Sequence, residues 1–211
     1  MNVNNIVKRL IQLKSTGVNL DLALDIGAYR GEFTNIIKSV WPKITVKQFE
    51  ADERQKDYLL DTAEIVLLGD RDQQVDFYTI PDTGWGSTTG SSIYRENTDF
   101  YNNARKQSRL MTTLDSVVDH SLDWHNSLIK IDTQGSELLI LDGASELLSQ
   151  RPRFILLECS IQEYNEGAPL INESLDYMLN KGYKLYDIVD TAYSQTGELL
   201  QLDIMFMIDK R

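Results

Sequence analysis

Short apolar runs alternate with amphipathic segments along this chain, and their order reads as repeated strand–helix units. Ile6, Leu10 and Leu13, with Val7 and Ile11 beside them, recur at the spacing of one helix face. Gly17 is placed to stop that helix, so residues 1–17 are expected as an N-terminal helix. Residues 20–26 read as a first strand and 31–40 as a helix stopped near Trp41-Pro42. Residues 44–49 follow as a second strand, 52–62 as a second helix and 64–68 as a third strand. Strands this short and apolar, separated by helices, belong to a parallel sheet covered on both faces.

The pattern changes after Gly69-Asp70. Val75-Asp76-Phe77-Tyr78-Thr79-Ile80 alternates like a hairpin strand, and residues 81–92 are rich in Gly, Ser and Thr. Strand–helix order resumes beyond them. Residues 75–112 are therefore expected as an inserted hairpin and substrate loop, not a domain boundary. Trp85 and Tyr94 border the loop, to stack on a ligand or to pack beneath it. Residues 128–132 read as the fourth strand, 136–149 as a helix, 154–158 as the fifth strand, and 171–181 as a helix ended by Gly182. Residues 183–189 and 202–208, joined by a turn containing Gly197, suggest an antiparallel edge pair. With no internal repeat or low-complexity tract, residues 1–211 read as one α/β domain.

Composition narrows the classes. A chain of 211 residues, 42% hydrophobic and 25% charged, suits one globular domain with a real core. Acids outnumber bases by 32 to 21, for a net charge of −11. That is a poor match for a phosphate backbone, so no nucleic-acid partner is expected. No apolar run approaches the roughly 20 residues of a membrane span, and the first residues lack a signal-peptide core. Cys159 is the only cysteine and lies in an apolar run, which rules out an internal disulfide and suggests a core thiol. A cytoplasmic protein is expected.

Candidate chemistry gathers at the strand ends. Asp25-Ile26-Gly27-Ala28-Tyr29-Arg30-Gly31 couples an apolar run to a glycine turn and a helix start, and Val46-Lys47-Gln48-Phe49-Glu50 ends one unit later in an acid. A strand, a glycine turn, a helix and then an acid at the next strand tip form a nucleoside-binding arrangement, with Glu50 placed to accept both ribose hydroxyls. The G-x-x-x-G spacing and Asp25 disfavour a pyrophosphate, which needs G-x-G-x-x-G. An acid turned into the crevice suits a ligand bearing an ammonium, such as S-adenosylmethionine. The alternatives are an NAD(P)-dependent reductase, a non-catalytic nucleoside-binding domain, or glycines that merely permit a tight turn.

Lys130-Ile131-Asp132-Thr133-Gln134-Gly135-Ser136-Glu137, followed by Leu141-Asp142-Gly143-Ala144, is more specific. Together with Asp25-Ile26-Gly27-Ala28 it resembles the FkbM-type methyltransferases. Leu67-Leu68-Gly69-Asp70, Phe77-Tyr78, Gly90-Ser91-Ser92-Ile93, Thr113-Leu114-Asp115 and Leu157-Glu158 extend the resemblance over about residues 20–158. It implies a Rossmann-like class I methyltransferase, with a mostly parallel seven-stranded sheet, helices on both faces and an antiparallel last strand. It also implies S-adenosyl-L-methionine as cofactor and methyl transfer to a hydroxyl of a sugar or natural-product-like small molecule. Tyr29 stands where many methyltransferases carry a third glycine, which bears on cofactor affinity. The expected cofactor residues are Asp25, Gly27, Ala28, Gly31, Glu50, Asp70, Ser91, Ser92 and Asp132. The oligomeric state stays open, with a homodimer one option.

An alcohol acceptor must lose a proton. Asp132 and Glu158 end adjacent strands and are the candidate bases, or together a thin site for a divalent cation. Direct base chemistry is the main expectation, with no metal site assigned. Asp132 could instead cap the next helix, and Glu137 could favour its dipole. His120 and His125 flank Trp124. His125 is kept as a third catalytic candidate because imidazole titrates near neutral pH.

Overall fold

The computed structural model describes residues 3–81 and 89–209. Trp85 lies outside the described residues. In chain order the elements are α1 (Val3–Ser15), β1 (Leu22–Ile26), α2 (Glu32–Val40), β2 (Thr45–Glu50), β3 (Glu64–Ile65), β4 (Leu67–Gly69), β5 (Gln73–Thr79) and β6 (Arg105–Thr113). Then come β7 (Ser127–Ile131), α3 (Glu137–Asp142), α4 (Ser145–Ser149), β8 (Phe154–Ser160), α5 (Ile171–Asn180), β9 (Tyr183–Tyr193) and β10 (Leu199–Ile208).

The main sheet has seven strands in the order β3-β2-β1-β7-β8-β10-β9. The five strands from β3 to β8 pair in parallel, and the last, β10, runs antiparallel to both β8 and β9. This is the mostly parallel α/β sheet with an antiparallel last strand that the sequence leads one to expect. Strand parity divides the core. Leu24, Ile26, Ile129, Ile131, Ile155 and Leu157 face one side, against Ile140, Leu147 and Met178 of the later helices. Ala23, Leu128 and Leu156 face the other, against Ile6 and Leu10 of α1 and Phe33 and Ile37 of α2. Each fully buried large side chain contributes about 1.5–3 kcal/mol, so β1, β7 and β8 anchor both layers.

Three expectations need correction. Residues 52–62 form only a 3-10 helix, Glu53–Tyr58, in which Gln55 alone is buried. The buried Gln48 side chain accepts the Leu60 N–H at 2.8 Å and ends the helix early. The expected helix 136–149 is two helices, broken at Gly143-Ala144. A Cβ on Gly143 would lie 2.0 Å from the Gly69 carbonyl oxygen, so the chain bends there against β4. Asp115 then caps α4 from a distance, accepting the Glu146 and Leu147 N–H groups at 2.8 and 3.0 Å. The third strand is split. Glu64–Ile65 stays in the main sheet, while Leu67–Gly69 joins a second sheet of order β4-β6-β5. That sheet includes β6, a strand the hydrophobic pattern does not reveal.

Candidate functional site

The carboxyl ends of β1, β2, β7 and β8 open on a crevice of about 420 Å³. Its first wall is the turn after β1. The Gly27 and Ala28 N–H groups both donate to the Phe49 carbonyl, at 3.0 and 3.1 Å, which folds the turn onto β2. Gly27 has φ 70, and a Cβ there would lie 1.9 Å from the Asp132 carbonyl oxygen. Positive φ and this contact both demand glycine. Tyr29, at φ 49, donates its N–H to Glu50 Oε2 at 2.7 Å, and Asp52 donates its own to Oε1 at 2.8 Å. The Glu50 carboxylate is thus strapped between two backbone segments, with a further lone pair on each oxygen. Burial pushes its pKa up, and the two N–H groups pull it partway back.

Beyond Glu50 the wall becomes apolar, with Ala51, Val66, Leu67, Leu68, Phe77 and Ile140. Residues 89–93 line the crevice as well. Ser91 Oγ donates to Asp52 Oδ2 at 3.0 Å, and Ser92 Oγ donates to the Gln134 carbonyl at 2.8 Å. Arg54 holds Asp52 through Nε at 2.8 Å and reaches the Ile80 carbonyl through Nη1 at 2.7 Å. Burial alone would raise the Asp52 pKa, but the Arg54 hydrogen bonds and Ser91 outweigh it and hold the group below its ordinary value.

Asp132, Gln134, Glu158, Gln201, Glu96 and Tyr164 complete the lining. Gln134 Nε2 donates to Glu158 Oε2 at 2.8 Å and lies 3.5 Å from Asp132 Oδ1. Asp203 lies opposite Glu158 in the β8–β10 register, and Asp132, Glu158, Asp190 and Asp203 edge a smaller adjoining hollow. Burial, reinforced by Asp132, Glu137 and Asp203, raises Glu158 well above the ordinary carboxylate range. Burial and Asp132 push Asp203 up to about 7. Burial and Glu96 push the Tyr164 hydroxyl up to about 12.

Of the expected residues, the structure brings Gly27, Ala28, Glu50, Ser91, Ser92, Asp132 and Glu158 to the crevice. Others do not line it. Asp25 is fully buried and turned away. Its strand position shares the parity of Ala23, so it points under α2, where Oδ2 accepts the Thr34 Oγ1–H at 2.7 Å and the Thr34 N–H at 3.2 Å. It therefore offers no carboxylate to a ligand ammonium. Gly31, at φ 73, opens α2 and packs near Gln48. Asp70 follows β4 out of the main sheet and pairs loosely with Arg71, at 3.6 Å. Glu137 folds back onto its own loop, accepting the Thr133 N–H at 2.8 Å and the Gly135 N–H at 3.0 Å. Tyr94 packs on Gly135.

His125 precedes β7, at the amino end of the sheet, and its side chain is 71% exposed. The strand puts five residues at about 3.3 Å each, on the order of 17 Å, between that end and Asp132. His120 accompanies it there, against the Asp115 carbonyl at 2.8 Å. Neither histidine reaches the crevice. Among the described residues no cluster of three or more His, Cys, Asp or Glu could hold a metal ion. No helix there is long and apolar enough to cross a membrane.

Lys130 was the residue to notice. A lysine inside the apolar run Leu128-Ile129-Lys130-Ile131 must be buried with a partner, and its Nζ lies 3.3 Å from Asp132 Oδ2 and 3.6 Å from Asp25 Oδ1. Asp52 closes the same run as Glu50 and carried a similar hint. Glu96, Tyr164 and Gln201 arrive from distant segments that carry no local signal.

No curated protein matches the sequence. Among solved structures, the methyltransferase FkbM from Methylobacillus flagellatus KT aligns with a TM-score of 0.56 at 14% identity, over 89% of this chain and 43% of that one. The present chain thus spans less than half the length of that protein. The magnesium protoporphyrin IX methyltransferase from Synechocystis PCC 6803, solved with bound SAM, aligns at 10% identity with a TM-score of 0.49, over 98% of this chain and 78% of that one. The family model described as the methyltransferase FkbM domain matches residues 25–185, most of the described sheet, and the chain belongs to that family.

Proposed function

We propose that this chain is an S-adenosylmethionine-dependent methyltransferase that methylates a hydroxyl of a neutral small molecule, a saccharide or similar polyol. The Glu50 clamp beside an apolar wall is the observation that carries the reading. A carboxylate held by the Tyr29 and Asp52 N–H groups and open to the crevice suits a ribose diol. Val66, Leu67, Leu68 and Phe77 offer a purine an apolar berth. A crevice of about 420 Å³ falls within the roughly 300–1,000 Å³ of small-molecule sites. The residues present fit the cofactor, with Glu50 at the ribose and the Gly27–Tyr29 turn near the amino-acid portion.

The bound cofactor supplies a methyl group on a sulfonium, already reactive toward an oxygen nucleophile. The protein's part is alignment, exclusion of water and removal of one proton. Asp132 faces the crevice with a carboxylate oxygen near Gln134 and takes the hydroxyl proton. Glu158, whose pKa burial and the neighbouring carboxylates raise, orients the acceptor by hydrogen bonding. Lys130 is the only basic side chain among the described lining residues, and two carboxylates already neutralise it. The pocket therefore favours an acceptor without phosphate or carboxylate groups.

Calorimetry with S-adenosylmethionine and S-adenosylhomocysteine tests the cofactor. Glu50→Ala is expected to raise the dissociation constant roughly 10- to 100-fold, as loss of about 1.5–3 kcal/mol of charged hydrogen bonding implies. No binding of either ligand at millimolar concentration would remove the reading. A thermal shift with NADH instead would favour the reductase. The acceptor is sought by screening neutral sugars and polyols for S-adenosylhomocysteine release.

A further inference from the structure

Lys130 sits beneath the crevice, 4% exposed, on the central strand β7. Its ammonium carries three N–H groups and faces three oxygens: Asp132 Oδ2 at 3.3 Å, the Gly27 carbonyl at 3.4 Å and Asp25 Oδ1 at 3.6 Å. Asp25 is the fixed point. Its other oxygen is held by Thr34, whose hydroxyl accepts from Gln48 Nε2 at 2.9 Å, and Gln48 Oε1 accepts the Leu60 N–H at 2.8 Å. A buried polar chain thus runs from β7 through β1 and α2 to β2. It is anchored in the core at one end and emerges at Asp132 at the other. The Gly27 carbonyl belongs to the turn whose Tyr29 N–H holds Glu50.

We propose that Lys130 is a positioning residue for both the cofactor and the acceptor groups of the crevice: from beneath, its ammonium fixes the Gly27 turn that presents Glu50 and the Asp132 carboxylate that faces the acceptor. The assignment of these two roles rests on the function proposed above. A lysine that only neutralised Asp25 would not need the other two contacts. Its charge also reaches the carboxyl groups around it. Burial raises the Glu50 pKa, the Asp52 and Tyr29 N–H groups pull it back, the Asp52 charge raises it and Lys130 lowers it. Lys130 also lowers that of Glu158, which faces Asp132, Glu137 and Asp203. Burial works against the ammonium, yet Asp132, Asp25 and Asp203 keep its own pKa above the ordinary lysine value.

The test is S-adenosylhomocysteine affinity across about pH 5 to 9 for the wild type, Lys130→Met and Lys130→Arg. Removing the charge leaves the Glu50 pKa higher. Lys130→Met is therefore expected to bind on the order of 10-fold more weakly near neutral pH, with the acid limb of binding moved to higher pH. Lys130→Arg keeps the charge and returns the limb toward its wild-type position. A Lys130→Met protein that melts at lower temperature but binds with wild-type affinity and an unmoved limb overturns the proposal. If Lys130→Met fails to fold, Lys130→Met/Asp25→Asn removes the buried pair together and carries the same expectation. If the wild type binds no S-adenosylhomocysteine, the cofactor reading fails. Lys130 is then judged by 13C NMR titration of the Glu50 and Glu158 carboxyls. Their midpoints rise in Lys130→Met if the proposal holds, and stay put if it does not.

Discussion

Gly27→Ala is the sharpest probe of how the cofactor turn meets the acceptor side. Two separate costs are written in the geometry. At φ 70 any side chain adds left-handed strain, about 1–2 kcal/mol for an L-residue. The new Cβ would also stand 1.9 Å from the Asp132 carbonyl, and ordinary contact begins at 3.4 Å, so the turn and β7 must part by 3.4 − 1.9 = 1.5 Å. Forcing backbone apart in a packed region costs about 1–3 kcal/mol more. The sum, about 2–5 kcal/mol, converts to a fall in Tm of about 4–20 °C for a chain of this size. Gly17 and Gly197 provide internal controls. Their φ values are 86 and 87, but nothing lies within 4 Å of a Cβ at either position. Gly17→Ala and Gly197→Ala should show only the conformational cost. Thermal and urea melts of the three variants separate the contact from the strain. Calorimetry on the folded fraction of Gly27→Ala should show weakened S-adenosylhomocysteine binding, because Tyr29 and Glu50 move with the turn. Equal destabilisation in all three variants would mean that the close approach to Asp132 is absent, and the reasoning would fail.

Two further outcomes follow from the charge arrangement. Asp203 has a folded pKa pushed up to about 7 from an ordinary 3.8, chiefly by burial and then by Asp132. Its favourable contribution is complete below the unfolded value and is lost as pH rises through the folded one. Asp203→Asn should therefore match the wild-type Tm near about pH 4 and exceed it by a few degrees near about pH 8, at roughly 2–4 °C per kcal/mol. A Tm difference independent of pH would refute this. His125→Ala should change neither S-adenosylhomocysteine affinity nor turnover, with stability within about 0.5 kcal/mol, because the ring is exposed at the amino end of β7. A turnover loss of tenfold or more would return His125 to the mechanism.

Much of the sheet could be read from the chain because β1, β7 and β8 are apolar on both faces. Such runs fit only the middle of a covered parallel sheet. The glycine turn was legible for the same reason, since it closes such a run, and Glu50 was legible as the acid that ends the next strand. Side-chain direction was harder. The alternation that turns Leu24 and Ile26 toward one helix layer turns Asp25 toward the other, so an acid at a strand tip need not enter the crevice. The helix expected after β2 was curtailed by a buried Gln48 capturing a backbone N–H, a tertiary contact that local propensity does not register. The break at Gly143 depends on the approach of Gly69, 74 positions earlier (143 − 69). Glu96, Tyr164 and Gln201 meet through such long-range closures too. The two short motifs Thr113-Leu114-Asp115 and Leu141-Asp142-Gly143-Ala144 turn out to be one structure, joined by the Asp115 N–H to the Gly143 carbonyl at 3.0 Å.

The passage from one sheet to the other at Val66 bears on how this part of the chain tolerates change. Val66 donates its N–H to the Glu50 carbonyl at 2.8 Å, and the very next residue, Leu67, pairs with Met111 in the second sheet. Leu67 and Leu68 both line the crevice and both are buried. A single residue thus serves as the whole joint, with no slack on either side. Exchanging one apolar side chain for another there alters packing locally. Adding or deleting one residue reverses the facing of everything that follows until the pairing slips to a new register. Residue count at this joint is therefore under tighter physical constraint than residue identity. A one-residue insertion between Ile65 and Leu67 should disable the binding wall even where a Val66→Ile exchange leaves it intact.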